Sequence, residues 1–240
     1  MHFWGIPLAT MRSFIFCTSF ISNHNYDLSS ERWKRWIQYY VERKAAFGAE
    51  RIFLIDDASP IENIPMDIHV IDAEVPLPDE LPDGPVMFRF NQHYGRYSMT
   101  AFPGWWRSFT FSSQIAKLYS FSKIIHCESD AFVVSDNLAS YMKQIDAGWM
   151  SFWCPRFNFP ESAIQVICSD SIANLEMFYL HGRKLWFQEV FPERLFPFTQ
   201  IEINFKGDRY GEYMDNYPND ADYVCQSSDR MTFDHKLKIS

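Results

Sequence analysis

Two carboxylates two positions apart, Glu128 and Asp130, follow the apolar run Ile124-Ile125-His126-Cys127 and precede another, Ala131-Phe132-Val133. Read as a strand, the segment puts both acids on one face, because side chains two apart along a strand share a face. Two carboxylates beside an apolar core repel each other unless something positive lies between them. A divalent cation is the simplest such partner. Held by few protein ligands, it keeps positions open for phosphate oxygens. The pattern therefore points to a site for a metal-bound diphosphate. The same residues could also form a plain strand-end turn, with Asp130 bonding nearby backbone.

The elements around this segment set what it can meet. Ser13 to Ser22 reads as a buried strand. A helix follows, with Ser29 or Ser30 as its cap and Trp33, Trp36, Ile37, Tyr40 and Val41 at helical spacing. Gly48 suits its C-terminal end. A second buried strand, Arg51 to Ile55, stops at Asp56-Asp57-Ala58-Ser59-Pro60, and a shorter one covers Ile68 to Ile71. Residues 74–85 form a proline-rich loop, and Phe88 to Tyr97 takes no assignment. The spacing predicts a helix from Gly104 to about Ser122, the acidic strand at 123–134, and a helix over 137–146 capped by Asp136. Strands at 149–154 and 163–168 flank the turn 155–161, and helices cover 171–180 and 185–191. From Thr199 onward polar and acidic residues dominate.

The alternation of strand and helix predicts an α/β fold: a mixed, mostly parallel sheet flanked by helices. Ligands of such sheets bind at the carboxyl ends of the strands. Both acidic pairs, Asp56-Asp57 and Glu128-Asp130, lie at such ends. Arg107 falls in the first turn of a helix, an end that prefers anions. A diphosphate nearby would resolve that conflict; a solvated arginine is the plain alternative. Arg96 is a lesser candidate of the same kind.

The 240 residues suit one large domain or two small ones, and an apolar content of 47% supports a sizeable core. The 23 Phe, 12 Tyr and 8 Trp can stack on sugars or bases, or simply fill the core. A net charge of −8 with no basic run argues against nucleic-acid backbone binding. Five scattered cysteines with no CxxC pair indicate a reducing compartment and no zinc site. The first 21 residues are apolar, but Arg12 interrupts them, so a core strand is preferred over a signal peptide. P-loop, dinucleotide and serine-hydrolase motifs are absent.

With these residues in place, the chain resembles the GT-A glycosyltransferases, the Rossmann-like nucleotide-diphospho-sugar transferases. The likeness rests on Thr18-Ser19-Phe20, Asp56-Asp57-Ala58-Ser59, Gly104-Trp105-Trp106-Arg107 and Glu128-Ser129-Asp130, the last a variant of the family's DxD motif. It covers residues 13–135 and is loose beyond 150. It implies one GT-A-like domain over 1–240, with 13–135 binding the nucleotide sugar and 136–240 the acceptor. It also implies that Thr18, Asp56, Asp57, Arg107, Glu128, Ser129 and Asp130 serve the donor, with Asp56 or Asp57 on base or ribose. It implies Mn²⁺ or Mg²⁺ held directly by Asp130, with Glu128 and His235 as further ligand candidates. Glu at the first position departs from the usual Asp.

The second half supplies acceptor candidates. Gly207-Asp208-Arg209-Tyr210-Gly211-Glu212 reads as a tight loop, with Glu212 and Asp208 as candidate bases and Glu202 in reserve. A solvated loop with an Asp–Arg pair fits the same residues. Trp149, Trp153, Phe157 and Phe159 could line an acceptor groove or belong to the core. The expected activity is metal-dependent transfer of a hexosyl or pentosyl group from a nucleotide-diphosphate sugar to a carbohydrate or glycolipid hydroxyl. The setting would be cytoplasmic glycan assembly, with peripheral association at the cytoplasmic membrane face. A sugar nucleotidyltransferase of related fold and a carbohydrate-binding module are the alternatives.

Overall fold

In the computed structural model, which describes residues 11–227, the first strand is apolar on both sides. Along β1 (Ser13–Ser19), Phe14 and Phe16 enter one core layer and Ile15 and Cys17 the other, all with no exposed surface. A strand covered on both faces reads as a continuous apolar run rather than an alternating one. The helix α1 (Tyr26–Arg43) brings Trp33, Trp36 and Tyr40 to the Ile15 layer. Next come β2 (Arg51–Asp56), β3 (His69–Asp72) and β4 (Val86–Arg89). Then α2 (Pro103–Leu118) packs Trp106, Phe109 and Ile115 into the Phe14 layer.

β5 (Lys123–Cys127) pairs with β1, and the chain then turns to β6 (Phe132–Val133) and α3 (Asp136–Gln144). The antiparallel pair β7 (Trp149–Cys154) and β8 (Phe159–Cys168) leads to α4 (Ser169–His181) and α5 (Arg183–Trp186). Short strands β9 (Gln200–Glu202), β10 (Gly207–Asp208) and β11 (Tyr223–Val224) end the described chain. The large sheet has eight strands in the order β3-β4-β2-β1-β5-β8-β7-β9. The pairings of β3, β4, β2, β1 and β5 are parallel, as is that of β7 with β9; β8 runs antiparallel to both neighbours. The α/β class with a mixed, mostly parallel sheet is thus the observed one. The small sheet β10-β11-β6 carries the polar C-terminal segment back against the first half.

Several local expectations are corrected. The helix α1 begins at Tyr26 after Asn25, so Ser29 and Ser30 lie inside it and bond backward to backbone carbonyls. Asp136 is not a cap; Ser135 Oγ accepts from Leu138 N at 3.1 Å. The unassigned stretch from Phe88 begins inside β4 (Val86–Arg89), a strand of four residues, too short for its period to show. Of greatest consequence, the acidic strand stops at Cys127. Glu128 to Asp130 form a turn, closed by Ala131 N donating to Glu128 O at 2.8 Å, and β6 joins the other sheet.

That turn is clipped in place by α1. Trp36 Nε1 donates to Cys127 O at 3.0 Å, Tyr40 OH to Ala131 O at 3.0 Å, and Tyr39 OH to Val133 O at 2.5 Å. Aromatics that look like plain core residues by spacing thus carry the polar handles that fix the site. Tyr40→Phe orphans a buried carbonyl and is expected to cost about 1–3 kcal/mol in chemical unfolding.

Candidate active site

The carboxyl ends of β1, β2 and β5, the N-terminus of α2 and the start of β8 surround a cleft of about 650 Å³. Thr18, Asp57, Glu128, Ser129 and Asp130 all line it. The two acidic strand ends therefore do converge, as the topology of a parallel sheet demands. Their four carboxylates, however, have separate fates.

Glu128 is fully engaged. Thr18 Oγ1 donates to it at 2.9 and 3.0 Å, Trp105 Nε1 donates to Oε1, and His126 Nε2 lies 2.9 Å from Oε1. Burial pushes its carboxyl up, but His126, Trp105 and Thr18 outweigh that and hold it below the usual range. It is an anchor for the turn. His126, itself with no exposed surface, is one of its partners.

Asp130 is the opposite case. Its side chain is largely buried, and Arg32 Nη1, at 3.4 Å, is its closest ionic partner. Burial lifts its carboxyl to about 6; Arg32 pulls the other way, while Glu128 and Glu161 push it further up. A carboxylate in this state gains from an added cation.

Asp56 and Arg107 leave the donor set. Asp56 has no exposed surface and takes hydrogen bonds from Ser19 Oγ at 2.8 Å, Ser59 N at 2.6 Å and Ser59 Oγ at 2.6 Å. It ties the turn in which Ala58 adopts φ +66°, and it faces the protein rather than the cleft. Arg107 is buried between the rings of Phe90 and Tyr94, 3.9 and 4.0 Å from their centroids. It donates to Asp57 Oδ1 and to Gln92 O. The anion beside this arginine, the fifth residue of α2, is thus a protein carboxylate.

Asp57 also takes hydrogen bonds from Gly95 N at 2.7 Å and Tyr94 N at 3.1 Å, with His93 Nδ1 at 2.9 Å. Its second oxygen touches α2 so closely that a Cβ at Gly104 would collide with it. Asp57 shapes the cleft wall where Phe20 and His93 stack at 3.7 Å.

The second-half candidates do not line the cleft. Asp208 accepts from Arg209 N at 2.7 Å and Tyr213 OH at 2.9 Å, and Glu212 pairs with Arg209 at 3.6 Å. Glu202 accepts from Tyr141 OH at 2.8 Å and from two backbone amides. Trp149 is core, and Trp153 and Phe157 also lie off the lining; Phe159 is on it. Arg96 lines the cleft while its guanidinium holds Ser98 O and Met99 O. His235 lies outside the described residues.

Three residues that sequence reasoning passed over take those places. Glu161, Glu193 and Arg209 line the cleft, with Glu161 accepting from Arg209 Nε at 2.6 Å. Glu161 reaches the cleft because β8 slips register against β7: Ser151 faces Gln165, but Phe152 faces Glu161. Such an irregularity re-aims side chains near sites. In sequence they show only as lone acids and an arginine flanked by the more conspicuous Asp208 and Glu212.

The implied metal finds a limited set of ligands here. Among the described residues no group of three His, Cys, Asp or Glu side chains is placed to hold one. Glu128 has its oxygens taken up by protein donors, whereas Asp130 has a carboxylate short of positive charge. One such carboxylate fits a hard cation that keeps its other positions for water and phosphate oxygens, and does not fit an all-protein cage.

No protein-family model and no curated protein matches the chain. Among solved structures it is similar to a glycosyltransferase involved in glycosylation of the major capsid of PBCV-1. The two share 12% identity at a TM-score of 0.49, over 92% of this chain and 96% of that one. It is also similar to HddC from Yersinia pseudotuberculosis, with 9% identity at a TM-score of 0.42, over 80% and 90% of the two chains. At these identities and scores neither likeness speaks to chemistry. The cleft's own residues do. Among the described residues no helix is long and apolar enough to cross a membrane.

Proposed function

We propose that the chain is a glycosyltransferase that binds a nucleotide-diphosphate sugar together with Mg²⁺ or Mn²⁺ and passes the sugar to a carbohydrate or glycolipid hydroxyl. The observation that carries this reading is Asp130, a largely buried carboxylate at the strand ends that lacks a full counter-charge. Five carboxylates (Asp57, Glu128, Asp130, Glu161, Glu193) and three arginines (Arg32, Arg96, Arg209) line the cleft. An anionic diphosphate enters so acidic a cleft only with a cation. Bound at Asp130, that cation would supply charge stabilisation for the departing diphosphate.

The chain's own residues do the positioning. Thr18, His126 and Trp105 hold Glu128, and Glu128 holds the turn that presents Ser129 and Asp130. Arg32 adds positive charge beside the same carboxylate. Asp57 keeps the 93–95 backbone against α2 and leaves the Phe20–His93 stack as a flat wall for a planar group.

A panel of UDP-, GDP- and dTDP-sugars, each with and without Mn²⁺, tests the reading by thermal shift. At a ligand concentration of about 100 Kd the gain is about 2.7 kcal/mol. For a chain of this size that corresponds to roughly 5–10 °C. No Mn²⁺-dependent shift with any donor would overturn the assignment.

A further inference from the structure

The second end of the cleft holds a carboxylate, Glu193, with one oxygen unpartnered. We propose that Glu193 takes the proton from the acceptor hydroxyl, in a subsite for a neutral carbohydrate walled by Phe159 and Phe191. This rests on the transferase reading above and names the acceptor class for it.

Glu193 sits in the short helical turn Pro192–Arg194, and its side chain is only 6% exposed. Ser162 Oγ donates to Oε1 at 2.6 Å, while Oε2 is buried with no hydrogen-bond partner. A buried carboxylate oxygen without a donor is costly unless a ligand supplies one. A sugar hydroxyl is such a donor. Burial also raises this carboxyl above its usual range against the Ser162 hydrogen bond, which suits a group that must accept a proton.

The neighbouring Glu161 is excluded from the role. Oε1 accepts from Ala163 N at 2.9 Å and Arg209 Nη2 at 3.2 Å, and Oε2 from Arg209 Nε at 2.6 Å. Arg209 in turn lies 3.6 Å from Glu193 and is the only arginine lining this end of the cleft among the described residues; Arg194 lies outside the lining, over the Phe191 ring at 5.7 Å from its centroid. Glu161 therefore spends that arginine and positions it. Two acids against one engaged arginine repel a carboxylate or phosphate on the acceptor. Phe159 and Phe191, with ring centroids 6.5 Å apart, line the same place and offer apolar faces to a sugar ring.

In the step, the acceptor O–H bond breaks and its proton passes to Glu193 Oε2. The acceptor oxygen bonds the anomeric carbon of the donor. The bond from that carbon to the diphosphate oxygen breaks, and its electron pair leaves with the diphosphate. The proton is later returned to solvent.

The test uses the full chain with whichever donor gives the largest thermal shift. Methyl glucoside, galactoside and mannoside are compared with glucuronic, galacturonic and mannuronic acids as acceptors. Wild-type protein should transfer to a neutral hexoside and not to its acid. Glu193→Gln should lower kcat by about 10²–10⁴-fold while the donor-induced thermal shift and acceptor KM stay within a fewfold. Glu193→Asp should recover part of the loss. Donor binding with transfer to none of the neutral hexosides overturns this inference alone. So does a Glu193→Gln rate within fivefold of wild type, or a preference for the acids. No donor-induced shift in wild type removes the transferase reading and this inference with it.

Discussion

Arg107→Met should unfold far more readily than wild type, by about 3–5 kcal/mol, because it strands a buried carboxylate. The Asp57 and Arg107 side chains are 7% and 5% exposed. Removing the guanidinium leaves the largely buried Asp57 carboxylate short of its main counter-charge. It also removes the group sandwiched by Phe90 and Tyr94. The loss should appear in urea unfolding and as a fall in melting temperature of roughly 6–20 °C. The double variant Asp57→Asn with Arg107→Met should recover a large part of it, since both charges then go together. If the single variant is as stable as wild type, the pair is not the clasp between the second strand end and α2 that its geometry indicates. An arginine that served only a diphosphate would behave differently: its loss would weaken donor binding and leave the free protein's stability alone.

Asp130→Asn should have two opposite effects. Donor and Mn²⁺ binding should disappear, because the asparagine brings no charge to the cation. The free protein should become more stable above pH 6. The sign follows from the direction of the shift. The folded-state carboxyl titrates at about 6, above its ordinary 3.8, so the folded chain holds the proton more tightly than the unfolded chain. That contribution is fully present below pH 4 and is lost as pH rises through 6. Asparagine cannot lose it. The variant's advantage should therefore be near zero at pH 4 and grow to roughly 2–3 kcal/mol by pH 7.5. Melting curves at both pH values, with and without Mn²⁺, measure it. Added Mn²⁺ and donor should stabilise wild type and leave Asp130→Asn unmoved. Equal melting of the two proteins at pH 7.5 without metal would show that the carboxylate is not short of charge.

These two residues mark how far the sequence reached. The order of the longer strands and helices was legible because each of them carries its own period; β4 and β9 to β11, two to four residues each, do not. The apolar runs of β1, β2 and β5 and the helical spacing of Trp33, Trp36 and Tyr40 are local patterns. So was the position of the cleft, since a parallel sheet presents its carboxyl ends together. The four acids at those ends looked alike in sequence. Their roles differ because of partners 37 to 110 residues away: Ser19 for Asp56, Arg107 for Asp57, Thr18 for Glu128 and Arg32 for Asp130.

The second half shows the limit more sharply. Asp208 and Glu212 stood in a loop of functional appearance, yet Arg209 between them is the residue that enters the cleft. Glu161 and Glu193 were inconspicuous, one beside a proline in a strand and one in a short turn. A register slip in β8 and the packing of the 192–194 turn brought them together. By itself, then, the sequence determined the α/β order and the acidic strand ends, because periodicity and strand direction are properties of neighbours along the chain. Only the tertiary structure decided which carboxylates are spent and which stay short of charge, because that depends on register and burial between distant segments.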